Sequence, residues 1–178
     1  MEVTQLPIDG ALLIVPRVFS DERGSFKETF AASRYASLGI SGPFVQDNLS
    51  TSRRSALRGL HGDPRMAKLV QVLGGSAYDV VADVRPGSST FMRWHAVELG
   101  EGDHAQLYIP AGCLHGFLAL EDETVLLYKQ TAEYDPAAEF GIAWNDPDLA
   151  IAWPLGGERP ILSAKDADNP TLRERGLL

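Results

Sequence analysis

The sequence predicts an all-β sandwich or barrel, and three observations carry the prediction. Between Lys68 and Gln130 short runs rich in apolar residues succeed one another at close spacing. Gly, Pro and Asp turn signals separate them, and polar and apolar residues sort onto opposite faces within several of them.

Taken in order, the first element is the exception. Phe30 to Leu38 reads as a helix, with Gly39 where a C-terminal cap belongs. Lys68 to Leu73 then reads as a strand ended by Gly74-Gly75, and Tyr78 to Arg85 as one that runs into Pro86-Gly87. Further strands are expected over Trp94–Leu99, Gln106–Ile109, Leu114–Leu120 and Thr124–Gln130. Side chains alternate across a strand, so Tyr78, Val80, Ala82 and Val84 share one face and Asp79, Val81, Asp83 and Arg85 the other. Cys113, His115, Phe117 and Ala119 share a face, as do Thr124, Leu126, Tyr128 and Gln130. For one strand, a titratable group among apolar neighbours fits a solvated outer face equally well. The repetition over four strands favours a polar-lined barrel interior able to hold a small ligand.

A length of 178 residues suits a single domain, 1–178, with 44% apolar and 22% charged residues, an ordinary globular composition. The net charge of -8 argues against nucleic acid, which needs a basic face. Cys113 is the only cysteine, so neither an intrachain disulfide nor a thiolate zinc site can form. The N-terminus shows no basic segment leading into an apolar one, and the run Ala11 to Val15 is too short for a bilayer. A reducing cytoplasm, with no membrane partner, is the expected setting.

Four histidines are present: His61, His95, His104 and His115. No pair of them sits close together on one strand with a carboxylate nearby, so the expectation is no metal. His95 and His104 stand in no motif and are expected at the surface. Arg58 and His61 have opposite strand parity and cannot both face inward on a regular strand. Gly59 could supply a bulge that re-aims one of them, but spacing alone favours a hydrogen-bonded structural histidine next to a surface arginine. His115 reads equally as a ligand contact or as a core histidine held by a carboxylate such as Asp83. The residues alone leave these choices open.

A series of motifs narrows them: Phe19-Ser-Asp-Glu-Arg-Gly24, Phe44-Val-Gln-Asp-Asn48, Leu57-Arg-Gly-Leu-His61, Ala67-Lys-Leu-Val70, Asp79-Val-Val-Ala-Asp-Val-Arg85, Ile109-Pro-Ala-Gly112, His115-Gly-Phe117, Leu127-Tyr-Lys129, Trp144-Asn-Asp-Pro147, Ile151-Ala-Trp-Pro154 and Leu162-Ser-Ala-Lys-Asp166. In this order they resemble the dTDP-4-dehydrorhamnose 3,5-epimerase family over nearly the whole chain. The resemblance implies a cupin-like jelly-roll β-barrel with a few short peripheral helices. It implies an isomerase that inverts carbons 3 and 5 of a dTDP-linked 4-keto-6-deoxy sugar. His61 would be the base, Asp166 its partner, Tyr128 the acid and Lys68 the stabiliser of an enolate. No cofactor is implied, because the substrate ketone is the electron sink. Arg23, Phe26, Glu28, Gln46, Asp47, Asn48, Arg58, Asp83, His115, Glu139 and Lys165 match binding positions, and Tyr134 the ring stacked on thymine. A homodimer is implied, with the segment from Arg23 to Glu28 reaching into the neighbouring subunit's site.

The sequence departs from the family at His61-Gly62-Asp63-Pro-Arg-Met-Ala-Lys68, where an aromatic and a glutamine usually follow the histidine and the loop is longer. That change is expected beside the sugar ring. It opens two alternatives, inversion at carbon 3 alone or a different nucleotide sugar such as a GDP-4-keto-heptose. A related 3,4-ketoisomerase and a non-catalytic nucleotide-sugar binder are the remaining readings.

Overall fold

The computed structural model describes residues 1–40 and 42–178. Its architecture is the jelly-roll barrel that the resemblance implies, two antiparallel sheets facing each other. The first sheet contains β1 (Glu2–Gln5), β2 (Leu12–Val15), β5 (Gln46–Ser52), β7 (Lys68–Gly74), β10 (Gln106–Ile109) and β12 (Thr124–Gln130), in the order β1-β2-β10-β7-β12-β5. The second contains β6 (Leu57–Gly62), β8 (Ser76–Ala82), β9 (Trp94–Gly100), β11 (Leu114–Ala119) and β13 (Phe140–Gly141), in the order β13-β6-β11-β8-β9. A separate hairpin pairs β3 (Val18–Asp21) with β4 (Gly24–Lys27).

Strand parity explains where the core lies. Val70 and Val72 of β7 face Val81 of β8 and Leu126 of β12 between the sheets. The alternate residues of β7 and β2 point outward, where Leu69, Leu12 and Ile14 are covered by Tyr35 of α1 (Ala32–Ala36). The outer face of the second sheet, with Leu60, Val80, Ala82 and Leu114, is covered by Ile142, Leu149, Ile151 and Leu172 from the C-terminal segment. Each such buried aliphatic side chain contributes roughly 1.5–3 kcal/mol.

The helix expected over Phe30–Leu38 is shorter, because Ala31 is extended and offers no side-chain cap. Gly39 closes it as expected, at φ +82, a left-handed conformation that glycine adopts without cost. The strand expected to reach Arg85 stops at Ala82. Asp83 there folds the chain over by accepting hydrogen bonds from the Arg85 backbone and guanidinium, from Ser88 and from Thr90.

Candidate active site

The barrel interior is packed with apolar side chains at one end and opens at the other into a cavity of about 560 Å³. Gln46, Asn48 and Ser50 of β5 line it, as do Arg58 and His61 of β6, Lys68 of β7, His115 and Phe117 of β11, and Tyr128 and Gln130 of β12. Tyr134, Glu139, Leu162, Ser163, Lys165 and Asp166 close it from the C-terminal segments that follow.

The bulge at Gly59 explains how β6 serves the cavity twice. His115 stands opposite His61 and Phe117 opposite Arg58, so two residues of β6 face one of β11. Gly59 lies at φ +124, and a Cβ there would come within 2.6 Å of the Gly116 Cα, so only glycine permits the approach. The extra residue corrects the parity, and both Arg58 and His61 reach the cavity.

His61 Nε2 lies 2.6 Å from Asp166 Oδ1. Asp166 sits in α2 (Ala164–Ala167), where Ser163 caps the helix by accepting from the Asp166 N–H at 3.0 Å and donates to Oδ2 at 2.9 Å. Burial alone would raise the Asp166 carboxyl. The hydrogen bonds from His61, Ser163 and the Gly59 N–H outweigh it and hold the group below the usual carboxylate range. An ionised Asp166 can only accept, so Nε2 carries the hydrogen of that bond and Nδ1 is the ring nitrogen left to take up a proton.

Burial pushes the Lys68 ammonium down, against the opposing pull of Glu139, Asp79 and Asp63. The Tyr128 phenol is pushed up, first by burial and then by Glu139, with Arg58 opposing. It therefore holds its proton at neutral pH and is available as an acid. Gln46 donates to Asn48 at 2.9 Å, and Asn48 donates to Gln130 at 2.9 Å, a chain that fixes the wall opposite His61. Lys165 is ion-paired to Glu139, and its ammonium lies 6.0 Å from the centre of the Tyr134 ring. The Tyr134 N–H donates to Gln46 at 2.8 Å, which holds that ring at the cavity mouth.

Some expected positions lie elsewhere. Asp83 is not the carboxylate at His115: it is fully buried in its own turn with Arg85, Ser88 and Thr90. The partner is Asp79, whose Oδ1 is 2.9 Å from His115 Nε2. Both carboxylates have the same parity, but in the β8–β11 register Asp79 stands opposite Phe117, one diagonal step from His115, whereas Asp83 lies past the strand end. Asp47 points away from the cavity, because its odd position on β5 turns it outward to Lys129 at 2.8 Å. Arg23 and Phe26 lie on the exposed β3–β4 hairpin, Arg23 against Asp21 and Phe26 at 70% exposure. Glu28 pairs with Arg34. None of these three lines this chain's cavity. His95 and His104 are also outside it, both half-buried, with His104 Nδ1 3.1 Å from Lys27 Nζ.

Gly62 and Asp63 do not line the cavity either. Gly62 packs beneath Phe140, and Asp63 is a buried turn residue that binds the Arg65 backbone at 2.8 Å and its guanidinium at 2.9 Å. The departure beside His61 therefore rebuilds the β6–β7 connection and not the wall that a sugar would touch. The sequence reading misses Asp79 and Ser163, besides Ser50, Phe117, Gln130 and Leu162 on the cavity wall. Parity counted from His115 across the register would have found the first, and the Ser-Ala-Lys-Asp cap pattern the second. Among the described residues no group of three or more His, Cys, Asp or Glu side chains could hold a metal ion.

Comparison with known proteins identifies the family. The family model described as dTDP-4-dehydrorhamnose 3,5-epimerase matches residues 5–174. The dTDP-4-dehydrorhamnose 3,5-epimerase of Methanothermobacter thermautotrophicus is 44% identical over 170 residues, covering 94% of this chain and 92% of that one. The crystal structure of dTDP-6-deoxy-D-glucose-3,5-epimerase from Legionella pneumophila in complex with dTDP-4-keto-L-rhamnose superposes with a TM-score of 0.93 at 44% identity, covering 99% and 96%. A 3'-monoepimerase from Streptomyces bikiniensis in complex with dTDP-quinovose superposes with a TM-score of 0.89 at 39% identity, covering 97% and 90%. The barrel and this similarity over nearly its full length place the chain in the dTDP-4-dehydrorhamnose 3,5-epimerase family.

Proposed function

We propose that the protein is an isomerase that inverts carbons 3 and 5 of dTDP-4-dehydro-6-deoxyglucose, giving dTDP-4-dehydrorhamnose. The observation that carries the reading is the set of His61 on Asp166, Lys68 and Tyr128 around one cavity. The 4-keto group acidifies the hydrogens on both neighbouring carbons. His61 takes one of them, the C–H electron pair moves into an enolate, and Lys68 stabilises the charge on its oxygen. Tyr128 then delivers its hydroxyl proton to the opposite face of the carbon, and exchange with solvent resets both groups. The ketone is the electron sink, so the scheme routes no step through a metal or redox cofactor.

Arg58 suits the diphosphate through its forked donors, and Tyr134 suits the thymine as a stacking surface beside Lys165. The β3–β4 hairpin supports a homodimer. It carries Arg23 and the exposed rings of Phe19 and Phe26 on a surface remote from this chain's cavity, as a segment lent to a second copy would. A cytoplasmic setting fits a nucleotide-sugar substrate and the free, buried thiol of Cys113. No helix among the described residues is long and apolar enough to cross a membrane.

The test is proton NMR of dTDP-4-keto-6-deoxyglucose with the enzyme in deuterated water. Deuterium at both carbons 3 and 5 is expected. Deuterium at carbon 3 alone would place the protein with the monoepimerase, and no exchange would remove this substrate. The His61→Ala variant is expected to bind dTDP unchanged and to lose turnover, which separates an enzyme from a binding protein. Tyr128→Phe is expected to exchange deuterium but invert poorly.

A further inference from the structure

The strand that carries His61 is held from behind by a fit between two residues that never touch the cavity. Gly62 needs no special backbone, since its φ is outside the left-handed region. What excludes a side chain there is the Phe140 ring: a Cβ at Gly62 would stand 2.7 Å from Phe140 Cζ and 2.9 Å from Cε1. The two residues are direct partners in the β6–β13 register, and the next pair is Gly141 with His61. A Cβ on Gly141 would run into the Asn169 carboxamide, which fills the place beside His61 on the other face of β13. Asn169 follows the helix that bears Asp166. Backbone bonds between Leu60 and Ile142, at 3.2 and 3.0 Å, continue the seam, and the Arg175 guanidinium covers the Phe140 ring at 5.1 Å.

We infer that Phe140 is a positioning residue for His61: its ring, keyed into the slot left by Gly62, fixes β6 so that the imidazole stays on Asp166. The inference rests on His61 being the base. Gly62, Phe140 and Asn169 are all absent from the cavity wall, so they reach the substrate only through the alignment of that side chain. A misplaced base costs rate steeply and binding little.

The test moves the ring from one strand to the other. Phe140→Ala and Gly62→Phe are each expected to lower kcat about tenfold or more with little change in KM. The combined Gly62→Phe/Phe140→Ala chain is expected to recover most of that loss. Recovery beyond the product of the two single effects establishes the pair. A combined loss equal to that product, a combined chain that does not fold, or single variants that lower Tm while kcat is intact would each overturn it. Should Gly62→Phe alone fail to fold, Phe140→Leu must recover kcat over Phe140→Ala. His61→Ala, assayed alongside, separates the two levels. Turnover by His61→Ala removes the base and this inference with it, whereas a dead His61→Ala beside an uncoupled pair removes only the inference.

Discussion

Two histidine–carboxylate pairs face one cavity from neighbouring strands, and their surroundings differ. His61 is 23% exposed at its side chain, and its Asp166 is held on both oxygens, by His61 and by Ser163. His115 is 7% exposed, and its Asp79 is wholly buried, with Oδ2 meeting no hydrogen-bond partner among the described residues. The first pair is fully satisfied and can reach substrate. The second is sunk between the sheets, where Asp79 serves to orient a ring. The residue types are the same in both, so accessibility and the completeness of the carboxylate's hydrogen bonds separate a base from a fixed wall.

The largest effect is expected at Asp166. Asp166→Asn keeps the shape but loses the charge that supports a protonated His61, and kcat should fall by roughly 10²- to 10⁴-fold. Thermal melts of the same variant should show a well-folded chain. A kcat within threefold of the parent would break the comparison, because Asp166 would then be no more than a structural contact. Asp79→Ala is expected to act the other way round. It strands the His115 Nε2–H in the barrel without an acceptor, at a cost of about 1–3 kcal/mol in denaturant unfolding. A rate loss as deep as that of Asp166→Asn, without this loss of stability, would make the two pairs equivalent.

The same contrast marks how far the sequence could be read. Strands dense in apolar residues were legible: Gln106–Ile109 and Thr124–Gln130 have the bounds that their patterns predict, although the inner face of the second also carries Thr124, Tyr128 and Gln130. Gln46–Ser52 is equally a strand but was not legible, because its inner face is a polar cavity wall and its outer face leaves Leu49 62% exposed. In this strand period and hydrophobicity decouple, because Gln46, Asn48 and Ser50 face the cavity and no apolar stripe marks the inner side. Leu57–Gly62 was hidden by its bulge, although Gly59 between two residues of conflicting parity gave the clue. The partner of His115 was mistaken because Asp79 and Asp83 share a face, and only the register across β8 and β11 tells them apart.

Acid should sharpen the comparison further. Asp166 lies below the usual carboxylate range, as does Asp83, whose carboxylate burial would raise but whose bonds to Arg85, Ser88 and Thr90 lower more. A carboxyl with a lower value in the folded chain takes up protons more readily once unfolded, so acid favours unfolding. Its contribution is complete above the unfolded value of about 3.9 and is lost as pH falls through the folded value. Stability should thus hold to about pH 5 and decline below about pH 4. Asp166→Asn and Asp83→Asn should each flatten that decline, measured by thermal melts from pH 7 to pH 3. An undiminished slope in either variant would mean that the carboxylate is not held as its contacts imply.

The smallest effect is expected at the carboxylate that the fold turns away. Asp47 is 54% exposed at its side chain and meets Lys129 on the outer face of β5, next to Asn48, which lines the cavity. An exposed ion pair of this kind contributes about 0–1 kcal/mol, so Asp47→Ala should leave stability nearly unchanged. Within one chain it should also leave kcat and KM alone, while Asn48→Ala raises KM by breaking the Gln46–Asn48–Gln130 chain. Raised KM in Asp47→Ala with an unchanged melt would mean that the outer face of β5 meets substrate in a way one chain does not display. A second subunit could supply that contact, so the same variant measured at several protein concentrations tells the two faces apart.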